Sequence, residues 1–186
     1  AGIPELIMAE FNRNLWAPWR MEYIHSLIDA EKDGDNDCFL CRFAQNPEDD
    51  GANHVIWRGS TCLTVFNRFP YGSGHLLIAT LEHKADLDEL DDPTLNEMIR
   101  QVRDAQKLLR EVLVPQGFNI GANLGKVAGA GVEDHYHMHI VPRWGGDTNF
   151  MPVLGHTKVL GEGLEETWER LTGVYEQMFG DRNKTR

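Results

Sequence analysis

Three histidines alternate with apolar residues in His135-Tyr136-His137-Met138-His139-Ile140-Val141, and Pro142-Arg143-Trp144 follows directly. Successive side chains of an extended strand point to opposite faces, so this spacing predicts His135, His137 and His139 on one face, with Tyr136, Met138 and Ile140 on the other. Two strand residues rise roughly 7 Å, close enough for neighbouring imidazoles to bracket one phosphate. A neutral imidazole is a competent nucleophile near neutral pH because its unperturbed pKa is about 6.5. A row of imidazoles is costly to bury without partners, so the strand is expected to face a cleft. The same residue types also ligate zinc or iron, with Glu133 and Asp134 as candidate further ligands. That metal reading predicts loss of activity on chelation, whereas phosphate chemistry on the histidines needs no metal at the phosphorus.

Such a strand has to be positioned by others. Three short β-branched and aromatic runs, at 54–58, 62–67 and 75–80, are separated by Gly59-Ser60 and by Pro70-Tyr71-Gly72-Ser73-Gly74, which predicts a meander. The spacing predicts a helix over 93–114, with Asp92 as cap, Pro93 in the first turn, and Leu95, Met98, Ile99, Val102, Ala105, Leu109 and Val112 recurring on one face. Its other face carries Arg100, Arg103, Lys107 and Arg110 among Glu97, Asp104 and Glu111, the pattern of a solvated surface stitched by ion pairs. Residues 117–124 read as a further strand. Residues 125–131 form a loop rich in Gly and Ala, whose small residues suit close approach of backbone N–H groups to an anion. A polar turn is expected at 145–152 and a helix at 163–179, carrying Leu164, Trp168, Leu171, Val174, Tyr175 and Met178. Residues 181–186 read as a frayed tail.

The 186 residues, 41% hydrophobic and 25% charged, suffice for one core. A net charge of -11 argues against a nucleic-acid partner, which asks for clustered Lys and Arg. No apolar run is long enough to span a membrane, and the first residues lack the pattern of a secretory signal. Met8 is a candidate natural start, with residues 1–7 then an addition. Three cysteines, an odd number, fit a reducing compartment, and cytoplasm is the expected location. Cys62 lies in an apolar run and reads as a buried hydrophobe. Cys38-Phe39-Leu40-Cys41 alone is half of a zinc site or a redox pair.

The pattern His-x-His-x-His-apolar-apolar, matched here at every position, resembles the signature of the histidine triad family. Upstream, Leu15-Trp16-Ala17-Pro18-Trp19-Arg20 is similar to bacterial members of its diadenosine-polyphosphate-degrading branch. The resemblance implies an α+β fold: an antiparallel sheet of about five strands crossed by one long helix, with a C-terminal helix beyond. It implies a single domain over 1–186, with an arm and loop at 1–37, the family core at 38–144 and an extension at 145–186. His137 corresponds to the family's nucleophile, with His139 and His135 as its catalytic partners. Asn67 would then bond the ribose, His75 would stand near the phosphates, and Asn123 would begin the phosphate loop. Gly131 stands near the place of a Gln that the family often carries, a departure from the pattern that leaves backbone amides to substitute. Cys38, Cys41, His83 and His135 would hold a structural zinc that the chemistry itself does not require.

The activity implied is hydrolysis or phosphorolysis of a dinucleoside polyphosphate through a nucleotidyl-histidine, by a homodimer. Nucleoside phosphoramidate or acyl-adenylate hydrolysis is the alternative within the same chemistry. A nucleotide-sensing, zinc-containing interaction module is the alternative from another class, although a sensor has no need of a nucleophile.

Overall fold

A computed structural model of the chain describes residues 38–148 and 160–183. The expected arm and loop at 1–37 lie outside the described residues, as does the turn from 149 onward. Five strands form one sheet: β1 (Val55–Arg58), β2 (Cys62–Phe66), β3 (Leu76–Thr80), β4 (Gly117–Gly121) and β5 (His137–Arg143). Their order is β1-β2-β3-β5-β4 with every neighbour antiparallel, so β5 is inserted between β3 and β4. The meander β1-β2-β3 falls where the alternation of apolar runs and Gly/Pro turns placed it. β4 stops at Gly121, three residues before the expected end, and β5 begins at His137, leaving His135 just outside the strand.

Helix α1 (Phe39–Gln45) precedes the sheet, α2 (Asp92–Leu113) links β3 to β4, and α3 (Leu164–Asn183) follows β5. The cap of α2 is Asp91, one residue earlier than expected, and its carboxylate accepts the Thr94 N–H at 2.9 Å. Helical spacing turns Met98, Gln101, Val102, Ala105, Leu108, Leu109 and Val112 inward, while Ile99, expected on that stripe, is 59% exposed. α2 and α3 cover one sheet face, burying Leu76, Ile78 and Ile140, with Leu171, Tyr175 and Phe179 inward from α3. Tyr175 stacks on Trp57 at 4.6 Å, whereas Met178 is left at the surface. α3 continues through Asn183, where a tail was expected from 181, because Phe179 still reaches the core.

One polar seam crosses this apolar layer. Gln101 donates to the Cys62 carbonyl at 2.9 Å and accepts the Thr64 hydroxyl at 2.8 Å. Glu97, expected among surface ion pairs, instead turns to the β1–β2 link and accepts the Thr61 and Cys62 N–H groups at 3.2 and 3.3 Å. Asp104 keeps the expected role beside Arg103 and Lys107. Cys62 is fully enclosed, and burial pushes its thiol up to about 12, so it is an inert apolar filler as expected.

On the opposite face Leu40 of α1 packs on Val55, Leu63, Val65, Leu77 and Ala79. Leu77 lies across from His139 and Ala79 from His137, and directly opposed residues share a face. The two histidines therefore look out on the α1 side, away from the helical layer. No described helix is long and apolar enough to cross a membrane.

The β2–β3 turn is held against α2 and β5 at Gly74, whose φ of +73° suits glycine. A Cβ there would meet Leu113 Cδ1 at 2.4 Å, Leu109 Cδ2 at 3.1 Å and Pro142 Cγ at 3.2 Å. Gly74→Ala is expected to cost about 2–4 kcal/mol in urea unfolding, combining left-handed strain with overpacking. Adding Leu113→Ala should return the overpacking part and leave the strain. A loss below about 0.5 kcal/mol, the range of a neutral surface change, would contradict this reading of the turn.

Candidate functional site

His137 and His139 lie side by side on β5, ring centroids 5.0 Å apart and edge to face, closer than the roughly 7 Å backbone repeat. His137 is buried and its Nδ1–H donates to the His135 carbonyl at 2.8 Å, which leaves Nε2 as the ring's lone-pair nitrogen. Burial pushes its pKa below the ordinary imidazole value, and the carbonyl bond opposes that shift only in part, so the ring is neutral at neutral pH. His139 is half-buried, with Nδ1 at 2.9 Å from Nε2 of His75 on the neighbouring strand end. Tyr71 lies stacked over His139 at 5.6 Å and tilted against His75 at 4.6 Å.

His75 is enclosed behind His139 rather than open to the cleft. Its Nδ1 receives the Tyr71 backbone N–H at 2.9 Å and lies 3.2 Å from Asn67 Nδ2. Asn67 in turn accepts the Phe69 N–H on Oδ1 at 2.9 Å, so its side chain is oriented within the turn after β2. Phe69 and Tyr71 are exposed beside it.

His135 points elsewhere. Its Nε2–H donates to the Thr80 carbonyl at 2.8 Å, and its Nδ1 lies 3.2 Å from Cys38 Sγ and 3.4 Å from Cys41 Sγ. Cys41 Sγ lies 3.0 Å from His83 Nδ1. The ligand atoms of Cys38, Cys41, His83 and His135 all fall within 4.8 Å of one another. Two sulfurs and two imidazole nitrogens at that convergence fit a tetrahedral zinc, and the Thr80 carbonyl supplies the outer contact that leaves His135 Nδ1 bare for a metal. Both nitrogens of His135 are thus committed away from His137 and His139. Glu133, weighed as a further ligand, sits 3.7 Å from Lys126, and Asp134 is exposed nearby.

The loop before β5 differs from a simple amide cradle. It closes a short turn over Lys126–Ala128 between Gly125 and Gly129, both at positive φ. The Gly129 N–H donates to the Lys126 carbonyl at 2.9 Å and the Ala130 N–H to Gly125 at 3.3 Å, so two of the expected anion donors are used inside the loop. Asn123 reaches Gly129 O only at 3.5 Å, and Gly131 is half-buried. Two contributors escaped the sequence reading. Thr80 acts through a carbonyl that residue type does not reveal; Tyr71, an aromatic in a Pro/Gly turn, carried a readable signal.

Five antiparallel strands, with the triad strand β5 inserted between β3 and β4 and helices packed on the sheet, define an α+β fold with paired imidazoles on one face. A family model described as HIT domain matches residues 49–146. The chain is 34% identical over 157 residues to the AP-4-A phosphorylase of Mycobacterium tuberculosis, covering 83% of this chain and 80% of that one. The structure is similar to that of a Zn-bound histidine triad family protein from Mycobacterium smegmatis, with a TM-score of 0.62 and 25% identity over 77% of this chain and 96% of that one. A hypothetical histidine triad nucleotide-binding protein from Sulfolobus tokodaii shares the fold, with a TM-score of 0.60 and 24% identity over 77% of this chain and 93% of that one. The chain belongs to the histidine triad family.

Proposed function

We propose that this protein cleaves dinucleoside polyphosphates such as diadenosine tetraphosphate at the α-phosphate, with His137 as nucleophile and inorganic phosphate as second substrate. The observation that carries the reading is the hydrogen bond from His137 Nδ1–H to the His135 carbonyl, which leaves a neutral lone pair at Nε2 on a ring that shares the α1 side of the sheet with His139. The similarity to an AP-4-A phosphorylase supports the substrate class and the choice of phosphate over water.

In the first half-reaction a bond forms from His137 Nε2 to the α-phosphorus while the bridging P–O bond breaks, releasing ATP and leaving an adenylylated histidine. Phosphate oxygen then attacks the same phosphorus, the P–N bond breaks, and ADP departs. His139, adjacent on the same face, meets the non-bridging oxygens as negative charge builds. Asn67 and Asn123, at the ends of the two flanking turns, contact the nucleoside and the phosphates, with the half-buried backbone at Gly131 close by.

Cys38, Cys41, His83 and His135 hold a zinc ion in this reading. When bound, the ion supplies a fixed cross-link from α1 to the start of β5, a structural role outside the chemistry. Among the described residues the outer edge of β4 has no strand neighbour and Ile120 is exposed on it, which supports a homodimer, and an odd number of cysteines with no disulfide supports a reducing cytoplasm.

Incubation with diadenosine tetraphosphate should give ADP plus ATP only when phosphate is present. AMP plus ATP regardless of phosphate would make the enzyme a hydrolase, and neither pair would move a phosphoramidate substrate ahead. His137→Ala should abolish turnover, a loss of about 10⁶-fold by analogy with other nucleophiles that act as one unit with their partners, while nucleotide binding stays measurable. Protein purified without added metal should carry about one equivalent of zinc and hold Cys38 and Cys41 from thiol reagents. Well under one equivalent, together with two freely titrating thiols, would refute the zinc assignment.

A further inference from the structure

We propose that His75 is a positioning residue that holds His139 as its Nε2–H tautomer, so that the two imidazoles facing the α-phosphate stand in opposite states. The argument starts at the buried end. Nδ1 of His75 faces the Tyr71 N–H at 2.9 Å and Asn67 Nδ2 at 3.2 Å. The orientation of Asn67 is set independently, because its Oδ1 accepts the Phe69 N–H at 2.9 Å and the amide nitrogen is left to face the ring. Asn67 Nδ2 also lies 3.4 Å from Nε2 and so does not choose between the two ring nitrogens; the Tyr71 backbone N–H does, because a donor on Nδ1 requires that nitrogen to accept and places the proton of His75 on Nε2.

His75 Nε2–H then donates to His139 Nδ1 at 2.9 Å. With Nδ1 accepting, the proton of a neutral His139 resides on Nε2, the nitrogen on the far side of the ring from His75. The reverse direction would place an N–H of His75 against the Tyr71 N–H inside a fully enclosed site. His137 carries the opposite arrangement, with Nδ1–H given to the His135 carbonyl and Nε2 bare. One strand thus presents a lone pair and, one face position further on, a donor. A nucleophile and a donor to the same phosphoryl group require just this difference, and two rings of one residue type cannot supply it without separate anchors. The β2–β3 turn is the anchor for the donor, and the packing of Leu109 and Leu113 at Gly74 holds that turn against α2.

This rests on the reading that His139 faces the substrate phosphate, and the test separates the two. In protein labelled with ¹⁵N-histidine, two-bond ¹H–¹⁵N correlations report each tautomer without any substrate, with His137 and His139 assigned from the His137→Asn and His139→Asn spectra. The expected pattern is protonated Nε2 for His139 and protonated Nδ1 for His137. In His75→Leu the His139 signals should move toward a mixture of tautomers, and kcat should fall about 10²-fold, the size of one lost oxyanion donor, with KM changed less than about 3-fold. His75→Gln, which can return an N–H to the same place, should recover at least about ten-fold of that loss.

A His139 protonated on Nδ1 in the unaltered protein would overturn the proposal, as would a folded His75→Leu with unchanged kcat. Should His75→Leu fail to fold, the spectrum of the unaltered protein and the kcat of His75→Gln decide. Should the protein not turn over dinucleoside polyphosphates at all, the tautomer spectrum still stands or falls alone.

Discussion

The pairing of β3 with β5 is the constraint on which everything else in this molecule depends. Its register sets Ala79 opposite His137 and Leu77 opposite His139, which sends both imidazoles to the α1 side of the sheet. It also brings the Thr80 carbonyl to His135 Nε2 and the end of the β2–β3 turn, with His75, to His139 Nδ1. A slip of one residue would reverse every side chain of β5, burying imidazoles under α2 and exposing Met138 and Ile140. The apolar layer beneath, where Ile140 and Ile78 are fully enclosed, makes that slip prohibitively costly. Packing on one face therefore enforces chemistry on the other.

The three triad histidines, equivalent in the sequence pattern, are made different by their backbone surroundings. His135 stops short of the strand and gives both nitrogens to structure, one to Thr80 and one to the cysteine side. The carbonyl it leaves behind becomes the acceptor for His137. A link follows between the Cys/His cluster and His137 that passes through one peptide group: whatever fixes His135 fixes the direction of His137. His139 takes its orientation from the opposite direction, through the β2–β3 turn. The rings of His137 and His139 are held by independent supports, which suits the proposed site, in which a nucleophile and a donor keep a fixed separation through two successive displacements.

Much of this was legible beforehand. The triad, the meander and the long helix carry strong local signals, whereas the Cys-x-x-Cys is a weak one by itself and gains its partners only through the family resemblance, and the elements fall within a few residues of their expected places. The misses have common causes. Ile99 is apolar, yet its angle around the helix turns it to solvent, so residue type alone misplaces it. Glu97 was expected in an ion pair because nothing local announces the bare N–H groups of Thr61 and Cys62, brought in from a turn far back along the chain. The loop at 125–131 was expected to offer free amides, yet Gly125 and Lys126 carbonyls take two of them, a choice made by backbone torsions that a run of small residues permits but does not dictate.

By itself the sequence determined the periodicities, and through them which residues could share a face: the alternation on β5, the stripe on α2, and the small residues that allow tight turns. These are local properties, settled by strand and helix geometry within a few residues. Only the tertiary structure decided which histidine does what. The proton of an imidazole goes to the nitrogen that faces an acceptor and leaves the one that faces a donor, and the partners here are a carbonyl two residues back, a carbonyl on β3 and a second imidazole across the sheet. Two of the three are brought within hydrogen-bonding distance only when β3 and β5 pair, and no spacing along the chain encodes that distance.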